Sequence, residues 1–177
     1  MTQFLIKPTV SPVQVHQIQE AIDFAMRVRR EVFTMLDHTR LPLDFEQFSA
    51  HYMKSKDAIF LVATVGEGQI VGSIGILPYD DRIEAIQGRY PQESAAEIVK
   101  CYVDPAYRRY GIGSMMLQAL ENRVIYMRYT TLYLHTHHFL PGAVDFWKRQ
   151  GFTIITEQND DWQTVHMDKP AGKIELT

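Results

Sequence analysis

Val103-Asp104-Pro105-Ala106-Tyr107-Arg108-Arg109-Tyr110-Gly111-Ile112-Gly113-Ser114 lies where a β-rich run gives way to an amphipathic helix, with Gly111 and Gly113 in the turn. Glycine reaches backbone conformations that other residues avoid, and the amides that open a helix sit at the positive end of its dipole. A strand, a glycine turn and a helix in this order make a cradle for phosphate. The two common nucleotide motifs do not fit. A dinucleotide fingerprint needs a third glycine where Met116 stands, and a P-loop needs Lys and then Ser or Thr after its last glycine, where Ser114 and Met115 follow Gly113. A bare G-x-G turn serves structure more often than a ligand, so its neighbours must carry the functional reading.

Upstream, Glu97 to Val103 reads as the strand that feeds the turn, and downstream Met116, Leu117, Leu120 and Val124 share one face of a helix from about Gly113 to Met127. Ala58 to Val65 and Ile70 to Leu77 flank Gly66-Glu67-Gly68 and predict a hairpin. Pro78 to Ser94 is polar and irregular. After the helix come a strand at Thr131 to Thr136, a helix at about Gly142 to Gln150, and strands at Phe152 to Thr156 and Gln163 to Asp168. Near the start, Phe4 to Ile6 is a short apolar run, and Ser11-Pro12 predicts a cap and first turn for a helix to about Phe33 with Val15, Ile18, Ile22, Ala25, Met26 and Val32 along its stripe. Asp44 predicts the cap of a second helix through about Met53. The result is a mixed α/β layout with one parallel crossover and antiparallel hairpins.

The segment Arg108-Arg109-Tyr110-Gly111-Ile112-Gly113 resembles the pyrophosphate loop Q/R-x-x-G-x-G/A of the GNAT N-acetyltransferase superfamily. Val103-Asp104-Pro105-Ala106-Tyr107-Arg108 is similar to the V-x-P-x-Y-R run that leads into that loop, and Ala143 to Phe152 resembles a second signature, A-x-x-F-Y-x-x-x-G-F. The motifs cover roughly residues 95 to 153, and the earlier elements agree in order only. The resemblance implies a GNAT fold, an α/β arrangement with a central mixed, mostly antiparallel sheet of about six or seven strands flanked by about four helices, in a single domain over 1–177. It implies acetyl coenzyme A as cosubstrate and no metal. Cys101, Tyr102 and Val103 would face the pantetheine arm, the amides from Arg109 through Tyr110, Gly111, Ile112 and Gly113 to Ser114 would hold the pyrophosphate, with Arg108 or Arg109 adding charge, and Phe146 and Trp147 would lie at the cofactor.

Ala96-Glu97-Ile98-Val99-Lys100-Cys101 resembles the A-E-I-V-x-C segment of the histone-acetylating branch, whose glutamate is the general base, which makes Glu97 the catalytic candidate. An alkyl amine with a pKa of about 10.4 has to lose a proton before it attacks a thioester. Strand alternation puts Glu97 and Val99 on one face, so the plain alternative is a glutamate at a solvated sheet edge. The family often has Tyr after the Phe of the second signature and Asn three residues before its alanine; here those positions hold Trp147 and Leu140. Indole donates a hydrogen bond and is no practical acid, which leaves Tyr102, Tyr110 or water to protonate the thiolate. The expected activity is acetyl transfer to a primary amine, a small amine or a lysine-containing acceptor; the rival is a non-catalytic acyl-CoA-binding sensor or regulatory module.

The chain has 177 residues, 46% of them hydrophobic, enough for one core without staples. Its formal charge of −3 offers no field for a nucleic acid backbone. One cysteine forms no internal disulfide, and no run approaches the ~20 apolar residues of a membrane span, so a cytoplasmic protein is expected, with no membrane partner and a homodimer as one possible assembly. His135-Thr136-His137-His138 lacks the further ligands a zinc site needs. Glu157, Asp160, Asp161 and Asp168, with Asp80, Asp81 and Glu84, read either as an acidic rim for a cationic acceptor or as ordinary solvated loops.

Overall fold

The computed structural model describes residues 7–172. In chain order these form β1 (Thr9–Pro12), α1 (Ile18–Val32), α2 (Leu43–Glu46), β2 (Ile59–Val65), β3 (Gln69–Pro78), β4 (Ala95–Val103), α3 (Ile112–Val124), β5 (Thr131–His137), α4 (Ala143–Arg149), β6 (Thr153–Glu157) and β7 (Thr164–Pro170). The strands make a seven-stranded sheet in the order β1-β2-β3-β4-β5-β7-β6. β4 and β5 run parallel, as the strand-helix-strand crossover requires, and β1/β2, β5/β7 and β6/β7 are antiparallel. This is the expected mixed α/β fold. No helix among the described residues is long and apolar enough to cross a membrane.

The described residues gather into two compact units, one comprising residues 7–75 with Lys100–Leu120, the other Ile76–Val99 with residues 121–172. In the first unit, α1 buries Ala21, Ile22, Phe24, Ala25, Met26 and Val28 along one stripe. Phe45, Phe48, Tyr52 and Phe60 form an aromatic cluster with centroid separations of 4.9 to 6.2 Å. α3 comes so close to β3 that a Cβ on Gly72 would sit 2.9 Å from Met116 Sδ, so glycine there admits the helix. In the second unit, Tyr79, Ile86, Ala95 and Tyr133 are buried together, with Ile83, Tyr90 and Ile155 packed against them.

The N-terminal half departs from the sequence reading in three places. The short apolar run at residues 4–6 lies outside the described residues, and the first described strand is Thr9–Pro12, paired with Leu61–Thr64. Ser11 and Pro12 therefore belong to β1, where a proline that lacks an N–H is tolerated at a strand end. The helical turn that follows is capped by Gln14, whose backbone N–H donates to Gln17 Oε1 at 2.9 Å. The second predicted helix is short: α2 ends at Glu46 and a wider turn covers Ser49–Met53. Pro42 is its cap, and Asp44 lies inside the first turn with its carboxylate buried.

Candidate active site

The first unit contains the glycine loop. Asp104 begins it by accepting the N–H of Ala106 at 2.9 Å, capping a short turn at Pro105–Tyr107, while its own N–H donates to Val71 O. Arg27 of α1 donates to the Asp104 carboxylate at 2.7 Å. Burial pushes the Asp104 pKa up, but this ion pair and the Ala106 N–H outweigh it and hold the carboxyl below its usual range. Arg109 and Gly111 both adopt left-handed conformations, with φ of 70° and 74°. The chain then enters α3 through Ile112, which is buried, and the first α-turn closes with Met115 N–H on Gly111 O. The amides of Ile112 and Gly113 thus lead the helix with no acceptor one turn back. Arg108, Arg109, Tyr110 and Gly111 are exposed. An exposed turn that opens a thirteen-residue helix with two leading amides suits a phosphate group.

Cys101, Tyr102 and Val103 end β4 half-buried. Burial pushes the Cys101 thiol and the Tyr102 phenol each to about 12, so neither ionises near neutral pH. Just before them Lys100 has a φ of 53°, a left-handed residue inside a strand. This kink interrupts the regular alternation of a strand at the point where the run containing Glu97 and Val99 ends. Lys100 O accepts from Ser73 Oγ at 2.8 Å, and Lys100 Nζ lies 3.1 Å from Asp44 Oδ2.

The second unit contains Glu97. It pairs in register with Tyr133 of β5, and the residue is only 2% exposed. The solvated-edge alternative fails, because Ala95, Ala96, Glu97 and Ile98 are all buried and this half of β4 is covered on both faces. Both oxygens of the carboxylate accept from Arg82, Nη1 at 2.7 Å and Nη2 at 2.8 Å, a bidentate pair. Arg82 Nη1 also donates to Asp80 Oδ1 at 2.8 Å. The hydrogen bonds that Arg82 donates to Glu97 outweigh burial and drive the Arg82 pKa up, so the guanidinium is permanently charged. His135 Nδ1 lies 3.7 Å from Glu97 Oε1, with 37% of its side chain exposed.

Trp147 is buried between Phe146 and Phe152, with ring centroids 4.9 and 5.3 Å away, so its indole is a core group of this unit. The acidic loops are largely tied down. Asp80 binds Arg82, both oxygens of Asp81 accept Gly88 N–H, and Asp168 accepts from Arg89 and Tyr90. His137 Nδ1 donates to Trp162 O at 2.8 Å, and His138 lies 3.5 Å from Glu157. No group of three or more His, Cys, Asp or Glu able to hold a metal occurs among the described residues.

Sequence reasoning missed Arg82 and the Lys100–Asp44 pair. Arg82 stands in the loop that was read as irregular, fifteen positions from Glu97. A basic residue beside Asp80-Asp81 was its only signal, and that pattern usually marks a solvated turn.

The family profile described as the acetyltransferase (GNAT) family matches residues 19–152. No curated sequence relative matches. Among solved structures, a GNAT-family acetyltransferase from Staphylococcus aureus Mu50 is 20% identical and has a TM-score of 0.75, covering 94% of this chain and 100% of its own. The ribosomal-protein-S18-alanine N-acetyltransferase of Escherichia coli gives 16% and 0.64, with 97% and 98% covered. The PaiA N-acetyltransferase of Thermoplasma acidophilum, solved in complex with coenzyme A, gives 14% and 0.66, with 93% and 99% covered. At these identities the likeness is one of fold. The family match spans well over half the chain and includes the glycine loop and both strands that flank its helix, and on that ground the chain belongs to the GNAT acetyltransferase family.

Proposed function

We propose that this protein transfers an acetyl group from acetyl-CoA to a primary amine by direct attack on the thioester. The observation that carries this reading is the loop backbone, in which left-handed Arg109 and Gly111 lead into the opening amides of α3. In this reading those amides hold the pyrophosphate, and the strand Cys101–Val103 takes the pantetheine arm. The amine nitrogen bonds to the acetyl carbon, a backbone N–H near Tyr102 or Val103 receives the oxyanion, and the carbon–sulfur bond then breaks. Glu97 accepts the amine proton. Each of its oxygens has a second lone pair besides the one given to Arg82, and the partly exposed His135 has its Nδ1 3.7 Å away. The departing thiolate, a fair leaving group with an ordinary pKa of about 8.5, takes its proton from water, and the hydroxide left behind is neutralised by the proton that Glu97 took from the amine.

A second reading, acyl-CoA binding without turnover, is favoured by the engagement of both Glu97 oxygens with Arg82 and by the packing of Trp147 into the core. The two readings separate in one experiment: thiol release from acetyl-CoA with lysine peptides, polyamines, aminoglycosides and arylamines, beside calorimetry of CoA. Acceptor-dependent turnover that falls by roughly a hundredfold or more in Glu97→Gln, with CoA affinity kept, supports the enzyme and its base. CoA binding with no turnover on any acceptor supports the second reading, and absence of CoA binding defeats both.

A further inference from the structure

A lysine with φ of 53° in the middle of a strand is held there by something, because an L side chain in this region is crowded against its own backbone. Three contacts meet at Lys100. Its carbonyl accepts from Ser73 Oγ at 2.8 Å. Its ammonium lies 3.2 and 3.1 Å from the two oxygens of Asp44. Its Nζ sits 5.1 Å from the centroid of the Phe45 ring.

Asp44 is itself fixed. Tyr52 donates to Asp44 Oδ2 at 2.6 Å, and the Tyr52 ring packs on Phe48 and Phe60 with centroids 4.9 and 5.1 Å away. The anchor therefore reaches into the aromatic core of the first unit. Both partners are largely buried, at 16% and 11% side-chain exposure for Lys100 and Asp44. Desolvation offsets much of the attraction in such a pair, so its net contribution to stability is small, and selecting one backbone conformation is the role left to it.

We propose that the Lys100–Asp44 pair is a latch that holds the left-handed kink of β4 and so sets Cys101–Val103 in the geometry that receives the pantetheine arm, which makes both positioning residues. The ligand clause rests on the acetyl-CoA reading above; the kink and its latch do not.

The test compares Lys100→Met/Asp44→Asn, which removes both charges and keeps a crowded side chain at the kink, with Lys100→Gly/Asp44→Asn, in which glycine takes the same φ without strain. Amide hydrogen exchange over residues 100–104 without ligand reads the kink, and thermal unfolding checks that both variants fold. The methionine variant is expected to exchange at Cys101–Val103 about tenfold faster than the wild type, and the glycine variant to return within about threefold, because a tenfold change corresponds to ~1.4 kcal/mol of released strain. CoA affinity is expected to fall and recover in the same order. Wild-type exchange in the methionine variant overturns the latch, and so does equally fast exchange in both. Restored exchange without restored CoA affinity overturns the link to the pantetheine strand. A wild type that does not bind CoA defeats the acetyl-CoA reading and the ligand clause, while exchange alone still decides the latch.

Discussion

The two halves of β4 belong to sites built in different ways. Around Lys100–Val103 and the loop that follows, the candidate binding groups are backbone amides, aimed by two left-handed residues and a helix start. Around Ala95–Val99 the candidate group is a side chain: the β4/β5 register places Glu97, and its carboxylate is clamped by Arg82, itself paired with Asp80. A site of backbone amides depends on which conformations the local residues permit. A site of clamped side chains depends on partners that only the finished fold brings together. The first kind fails through strain and the second through an orphaned charge.

The largest effect that tests this contrast is expected at Gly111. Its φ is 74°, and a Cβ added there meets nothing within 4 Å, so a side chain acts only through the backbone. Gly111→Val is expected to weaken CoA binding roughly a hundredfold, equivalent to ~2.7 kcal/mol, because a β-branched residue abandons the left-handed region and takes the amides with it. Thermal stability should change little, since the loop is exposed. Calorimetry of CoA beside a melting curve checks both halves, and unchanged affinity would show that the loop backbone holds no ligand.

A smaller effect is expected from Arg82→Met, and it falls on stability. Removing one partner of a fully buried pair costs about 3–5 kcal/mol, and the figure is discounted to about 2 kcal/mol here because the Arg82 side chain is 48% exposed. The double variant Arg82→Met/Glu97→Gln should regain more than half of that loss by removing the stranded carboxylate. Urea unfolding of the three proteins gives the numbers. A loss below about 0.5 kcal/mol in the single variant would put this pair with ordinary surface salt bridges and erase the contrast between the two halves.

The same contrast explains what was legible in the sequence. The order of strands and helices from β2 onward follows from periodicity and turn residues, and the glycine loop follows from a motif twelve residues long. Both are local signals. Lys100 is the exception within the first unit, because the groups that meet it, Asp44 and Ser73, lie 56 and 27 positions away. In the second unit, Arg89 and Tyr90 meet Asp168 across 79 and 78 positions, and Glu97 is buried by neighbours that strand alternation could not name. The acidic residues looked like a rim for a cation while their partners were unknown; with the fold in hand, Asp80, Asp81 and Asp168 all have local work. The Ser11-Pro12 signal misled because the proline that opens many helices is equally at home at the end of an edge strand.

The smallest predicted effect lies in the second unit and concerns pH. His166 is 1% exposed, accepts the Tyr133 hydroxyl on Nδ1 at 2.8 Å and donates from Nε2 to Gln158 Oε1 at 2.9 Å, so the neutral ring satisfies both partners. A proton on Nδ1 would turn that acceptor into a donor facing a phenol whose own pKa burial has raised. His137 is also largely buried and donates from Nδ1 to Trp162 O. Burial is the leading cause that lowers both pKa values below the ordinary 6.5. The unfolded chain therefore binds these protons first as the solution is acidified. The stabilisation is complete above 6.5 and is lost as pH falls from there through the folded-state values. Melting temperature is expected to drop by a few degrees between about pH 7.5 and pH 5, above the range where most carboxylates titrate. His166→Gln, which cannot charge, should lower stability at neutral pH and flatten that slope. A wild-type curve already flat over this window would mean that the folded protein takes up these protons as readily as the unfolded chain, and the histidines of the second unit would then contribute to its stability by packing alone.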